Sequence, residues 1–252
     1  MTDTAFLDVL EEIVTKVVEP AAADVDRSGT FPRAAVTALG ERGLLGLMSS
    51  PEVGGMGKGL AEASQVVRRL AAACGSTAMV VTMHYCATAV LEVHGTQDVR
   101  RAIAAGRHLT TLAFSETGSR SHFWAPLSTA TPSSANVLLN ASKSWCTAAG
   151  EADSYVWTSR ATAGDGATLW FVPANTAGVK VAAPFDGLGL RGNASSPLAA
   201  VDAAVPVANR LGDDGAGLDI ALGVVLPVFM VLNASCSLGL MDAGIALSLI
   251  HI

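Results

Sequence analysis

The chain changes texture twice, near Leu109 and near Gly215, and this restricts its fold more than any other feature. Residues 1 to about 109 carry helical periodicity. Phe6, Leu7, Val9, Leu10, Ile13, Val14, Val17 and Val18 recur at helical spacing, and Pro20 is expected to stop the run. A second helix is expected after Pro32, with Val36 and Leu39 on one face. A glycine-leucine segment at 43–48 and a loop at 49–59 follow. Further helices are expected over about 60–73 and 76–93, the latter mostly apolar and ending at His94-Gly95. From 110 to 209 the chain is rich in Ser, Thr, Gly and Pro. Short apolar runs at 137–139, 155–158, 169–172 and 179–181 each read as a strand between turn residues. No helix is interleaved, so antiparallel pairing is expected. The fold class is α+β: an N-terminal helical domain (1–109), a central antiparallel β domain (110–212) and the start of a C-terminal helical bundle (213–252).

Ile220 to Met241 contains no charged residue and is long enough to span a membrane. Pro227, Asn233, Ser235 and Ser237 interrupt it, and Asp219 and Asp242 flank it without Lys, Arg or an aromatic belt. The expectation is a helix buried on most sides, in a bundle or subunit interface, with no membrane partner. One apolar helix has no companions to bury its faces, so a longer parent protein is expected. The six residues from Leu247 to Ile252 match a translated transposon end of sequencing adapters and are expected to be non-native.

Half of the residues are hydrophobic and 15% are charged, which excludes disorder. The net charge of -6 comes without a basic run, so no nucleic-acid partner is expected. An anionic ligand stays open, because backbone N–H groups bind phosphate whatever the net charge. The four cysteines form no C-x-x-C pair and the five histidines no H-x-x-x-H pair. Reduced thiols in the cytoplasm and no metal site are the expectation. Residues 1–12 carry acids and no basic n-region, unlike a signal peptide.

Two glycine motifs are decoys. Gly187-Leu-Gly-Leu-Arg-Gly192 matches G-x-G-x-x-G, but Asn193-Ala-Ser-Ser-Pro197 follows where a helix would have to start, so it reads as a turn between strands. Gly54–Gly59 lacks the first Gly and the final Ser or Thr of a P-loop. More informative are Leu112-Ala-Phe-Ser-Glu-Thr-Gly-Ser-Arg-Ser121 and Asn140-Ala-Ser-Lys-Ser-Trp-Cys-Thr-Ala-Ala-Gly150. The first reads as a strand leaving into a Gly/Ser loop whose N–H groups and hydroxyls can surround a phosphate. The second places an indole at Trp145 two residues from a hydroxyl at Thr147, on one side of a regular strand. A flat heteroaromatic cofactor wants that pairing. On pattern alone, a core tryptophan and a strand threonine weigh more.

The two segments together resemble the flavin-binding signature of acyl-CoA dehydrogenases. Leu39-Gly-Glu-Arg-Gly-Leu-Leu-Gly-Leu-Met48, Pro51-Glu-Val-Gly-Gly-Met-Gly57, the 187–192 turn and Leu211-Gly-Asp-Asp-Gly-Ala-Gly217 follow that family's order. The resemblance implies an FAD cofactor, an acyl-CoA substrate, an electron-transfer flavoprotein type of acceptor and a homodimer or homotetramer. It assigns Phe114 and Ser115 to the flavin ring edge and Ser121 to the pyrophosphate and the thioester substrate. It places Trp145 against the isoalloxazine, Cys146 in backbone contact with it and Thr147 at N5. Thr117, Arg120 and His122 depart from the pattern, and Leu226 and Phe229 fall where an Asp and an Arg for the CoA ester are expected. No residue is assigned as the catalytic base, so the chain alone is expected to be inactive. Rival readings are a flavin monooxygenase or nitroalkane-oxidase-like enzyme on the same fold, and a non-catalytic homologue acting as a binding partner.

Overall fold

The computed structural model describes residues 4–120 and 122–249. Its N-terminal part is a set of helices: α1 (Ala5–Ile13), α2 (Glu19–Ser28), α3 (Arg33–Glu41), α4 (Leu60–Ala73), α5 (Gly75–His94) and α6 (Gln97–Ala104). Pro20 does not stop the first run. A π-helical segment, Val14–Val18, widens the backbone ahead of it, and Pro20 falls in the first turn of α2, where a missing N–H costs little. The helix thus continues to Ser28. Helix α6 was not anticipated, although Thr96 caps it by accepting from the Val99 N–H.

Helix α5 is the axis of the molecule: 13 of its 20 residues are buried, and it packs against α4 and the β domain. It also carries polar ties. Tyr85 donates to the Leu44 carbonyl at 2.6 Å. His84 Nδ1 accepts from the Thr110 N–H at 3.2 Å, which leaves Nε2–H to donate to the Leu45 carbonyl at 3.1 Å. The ring is therefore neutral, and burial pushes its pKa down to about 4.

The β domain holds two four-stranded sheets. One has the order β1 (Thr110–Ala113), β4 (Ser154–Arg160), β5 (Ala167–Pro173), β8 (Arg210–Leu211). The other has the order β2 (Thr129–Ser133), β3 (Asn136–Cys146), β7 (Ser196–Pro206), β6 (Val179–Val181). The apolar runs at 137–139, 155–158, 169–172 and 179–181 lie within β3, β4, β5 and β6. Pairing is antiparallel except between β1 and β4, which run parallel, Thr110 opposite Ser154. The wholly antiparallel expectation fails there because the crossover between β1 and β4 is made by β2 and β3 of the other sheet rather than by a helix. Trp157 and Trp170, opposite one another on β4 and β5, are fully buried.

The chain then forms α7 (Gly217–Ile220), a π-helical turn and α8 (Leu226–Leu249), one rod from Gly217 to Leu249 that contains an 18-residue stretch of mean hydropathy 2.0, long and apolar enough to cross a membrane. It packs on α4 and α5 along one face. A Cβ at Gly239 would stand 2.2 Å from the Arg68 carbonyl, so glycine allows this approach. Arg68 grips Asp242 with two hydrogen bonds, of 2.7 and 3.1 Å. Within this chain the helix is covered along that one face alone. Only Leu232, Ser235, Cys236 and Gly239 of α8 are buried, because no other described element reaches its far face.

Candidate functional site

Strand β1 runs out at Ala113, and the chain crosses toward β3. There the Thr117 N–H donates to the Ser142 carbonyl at 3.0 Å and the Ser144 N–H to the Ser115 carbonyl at 2.9 Å. Between these bonds Glu116 bridges Lys143, both side chains out of water. Lys143 Nζ donates to Glu116 Oε1 at 2.6 Å, and to the Thr158 carbonyl and Thr158 Oγ1 at 2.7 Å each. Glu116 also accepts from the Leu127 and Ser128 N–H groups and the Ser128 hydroxyl. Burial pushes the Lys143 pKa down to about 8, against the pull of Glu116. Burial works to raise the Glu116 pKa, but Lys143 and the Ser128 and Leu127 donors outweigh it and hold the carboxyl below its ordinary value.

Immediately after Lys143, β3 breaks register with β7: Lys143 faces Leu198 and Cys146 faces Ser196, so β3 carries one extra residue. Trp145 takes up the bulge with φ +55° and stands 68% exposed. Its ring edge meets Phe185, centroids 6.4 Å apart. Trp145 and Thr147 therefore do not share a face. A regular strand would align them, but the bulge throws the indole outward and Thr147 lies past the strand end, 5% exposed, its hydroxyl 3.1 Å from Ser195 Oγ. Cys146 is buried with Sγ toward the Ser144 carbonyl, and burial pushes its thiol pKa up to about 12.

Trp145 divides two cavities, and Ser115 and Ser144 line both. The larger, about 540 Å³, is walled by Glu116, Thr117, Arg120, Phe185, Asp186 and Ser195, among others. Its volume is typical of small-molecule sites, roughly 300–1,000 Å³. The smaller, about 190 Å³, is lined by Met83, Leu112, Phe114, Phe123, Leu226 and Phe229, with Ala221 and Val225, and no charged side chain. The structure thus brings Phe114, Ser115 and Trp145 together. It sets Thr147 behind Ser195 and keeps the Cys146 side chain out of both cavities. Ser121 lies outside the described residues. Phe123, Phe185 and Ser195 were not anticipated. Phe185 and Ser195 flank the 187–192 turn, whose glycines were the only available sign that the segment approaches anything closely.

The arrangement defines a class: a helical domain and a β domain meeting at an exposed indole, with hydroxyls at its edge and one guanidinium on the loop beside it. Two profiles match in sequence: acyl-CoA dehydrogenase, N-terminal domain, at residues 2–106, and acyl-CoA dehydrogenase, middle domain, at 111–202. The chain belongs to the acyl-CoA dehydrogenase family. It is 27% identical over 223 residues to the short-chain specific acyl-CoA dehydrogenase of Clostridium acetobutylicum, covering 85% of this chain and 59% of that one. Its fold matches butyryl-CoA dehydrogenase from Megasphaera elsdenii with a TM-score of 0.90 at 22% identity, over 98% of this chain and 68% of the other. It also matches TdsC from Paenibacillus sp. A11-2, solved with FMN and indole, with a TM-score of 0.83 at 25% identity, over 94% and 62%. The chain spans a little under 60% of the length of the curated short-chain relatives it matches.

Proposed function

We propose that the protein is an FAD-dependent acyl-CoA dehydrogenase, and that this chain supplies its flavin cradle and the wall of its acyl site. The observation carrying the reading is the outward Trp145 at the junction of a polar and an apolar cavity. A planar heteroaromatic ring fits it: the indole offers a flat apolar face, and Ser115, Thr117 and Ser195 put hydroxyls at the edge of the larger cavity. Arg120 on the same wall offers a counter-charge to phosphates, which favours a phosphate-bearing tail.

Bound there, the flavin would supply the acceptor for hydride leaving the β carbon of an acyl thioester. The chain's own residues would do the rest of the holding. Met83, Leu112, Phe114 and Phe123 keep water from the apolar cavity. Leu226 and Phe229, at positions where charges for the CoA ester were expected, instead line the apolar cavity, where they would face an acyl group. Among the described residues lining this cavity there is no carboxylate to take the α proton, and Glu116 beyond Trp145 is committed to Lys143. The chain alone is therefore expected to bind flavin without turning over acyl-CoA. Family membership supports an acyl-CoA substrate and an electron-transfer flavoprotein type of acceptor, and a homo-oligomer is proposed with them. The comparisons favour neither a monooxygenase nor a non-catalytic role.

The test is a titration of the purified chain with FAD and with FMN, followed by an assay of acyl-CoA oxidation with an artificial acceptor. Saturable binding, tighter for FAD, and no turnover are expected. Absence of flavin binding defeats the reading, and turnover at an ordinary enzymatic rate defeats the assignment of no base to this chain.

A further inference from the structure

The Lys143–Glu116 pair is used by nothing in the function proposed above, yet it is the most completely buried ion pair among the described residues. A buried pair is a weak device for stability, because apolar side chains of similar volume do as well or better. What it adds is direction. The ammonium has three donors, and all three are used, on the loop after β1 and on β4. The carboxylate takes donors from the segment that enters β2. Four pieces of chain are thereby tied at one point, and a slip of one residue in β3 would turn Lys143 to the opposite face and leave the Glu116 carboxylate buried without its cation. That point is also where β3 breaks its own pattern. Val137, Leu139 and Lys143 are buried, as alternation requires, but Trp145, of the same parity, is exposed.

We propose that Lys143 and Glu116 are positioning residues: their pairing locks the 115–118 loop onto β3 at the bulge and so holds the Ser115 hydroxyl and the outward Trp145 at one fixed separation across the ring site. The lock itself is independent of any ligand. Its consequence for flavin rests on the function proposed above.

The experiment is the pair-free variant Lys143→Met/Glu116→Leu in the whole chain, with three readouts: the thermal transition, amide hydrogen exchange at Thr117 and Ser144, and the flavin Kd. A cooperative transition is expected to remain. Exchange at the two amides that join loop and strand should rise on the order of tenfold or more, since local opening no longer breaks an ion pair. The flavin Kd should weaken by about tenfold. A folded variant with wild-type exchange and wild-type Kd overturns the proposal. If the double variant does not fold, Thr158→Val removes one of the three acceptors of the ammonium, and exchange at Ser144 unchanged from wild type then overturns it. If the wild-type chain itself binds no flavin, the proposed function fails while the exchange measurement still decides the lock.

Discussion

Strand β3 is two different objects on either side of Lys143. From Val137 to Lys143 it keeps Val137, Leu139 and Lys143 on the buried side, and the one shift in its antiparallel pairing with β7, between Leu139 and Ala141, puts the extra residue on β7 and not on β3. From Ser144 onward the repeat is broken, an indole faces solvent and the next residue, Cys146, is buried instead. The first half holds the two sheets of the domain together. The second half gives up regular pairing to present a large flat side chain at a cavity mouth. A tryptophan at 68% exposure gains little from the hydrophobic effect, so the fold does not explain its presence, whereas the flavin proposed above would. A bulge next to a binding site is a recurrent means of re-aiming one side chain without disturbing the rest of a sheet.

Substitutions on the two sides of the boundary should separate stability from binding. The largest loss is expected from Lys143→Met alone, which leaves the Glu116 carboxylate buried without its cation. About 3–5 kcal/mol should disappear from the denaturant-unfolding free energy, far more than the double variant loses. Leu139→Ala, in the regular half, should cost about 3 kcal/mol through a cavity, with the flavin Kd of the remaining folded protein unchanged. The helical framework has its own signature in acid. His84 has its folded pKa lowered by burial to about 4, against 6.5 when free. As pH falls through that window the unfolded chain takes up the proton first, so stability decreases from about pH 6.5 and levels off below about pH 4. The shift corresponds to a loss of up to about 3 kcal/mol, and unfolding curves at pH 7 and pH 4.5 in wild type and His84→Gln should show the slope removed in the variant. The smallest stability effect is expected at Trp145→Ala, within about 0.5 kcal/mol, as for other exposed positions. If that substitution destabilises like Leu139→Ala, the contrast between the halves is wrong.

The same boundary marks how far the sequence could be read. The apolar runs of β3, β4, β5 and β6 are visible as alternation or short apolar stretches, and four of the eight strands among the described residues are located that way. Strand β7 is not, because Ser196–Pro206 holds four alanines, two prolines and Asp202 at φ +46° among its 11 residues, and only its partners β3 and β6 make it a strand. The parallel β1–β4 pairing is likewise a property of the whole topology and not of either segment. At the site, the residue types in 112–121 and 140–150 were legible through the family pattern. The geometry was not, since an extra residue in a bulge reverses every later side chain and leaves no mark in composition. Lys143 and Glu116 carry no hint of burial in the sequence, where charged residues are ordinarily assigned to the surface.

A planar ring lying against the Trp145 indole is the centre of the proposed site. The direct measurement is FAD titration of the whole chain and of Trp145→Ala, followed by quenching of the flavin's own fluorescence. Wild type should saturate with strong quenching, and the variant, melting at the same temperature, should bind at least about tenfold more weakly with the quenching largely gone. Equal affinity and equal quenching in the two proteins would place the flavin somewhere other than this cleft.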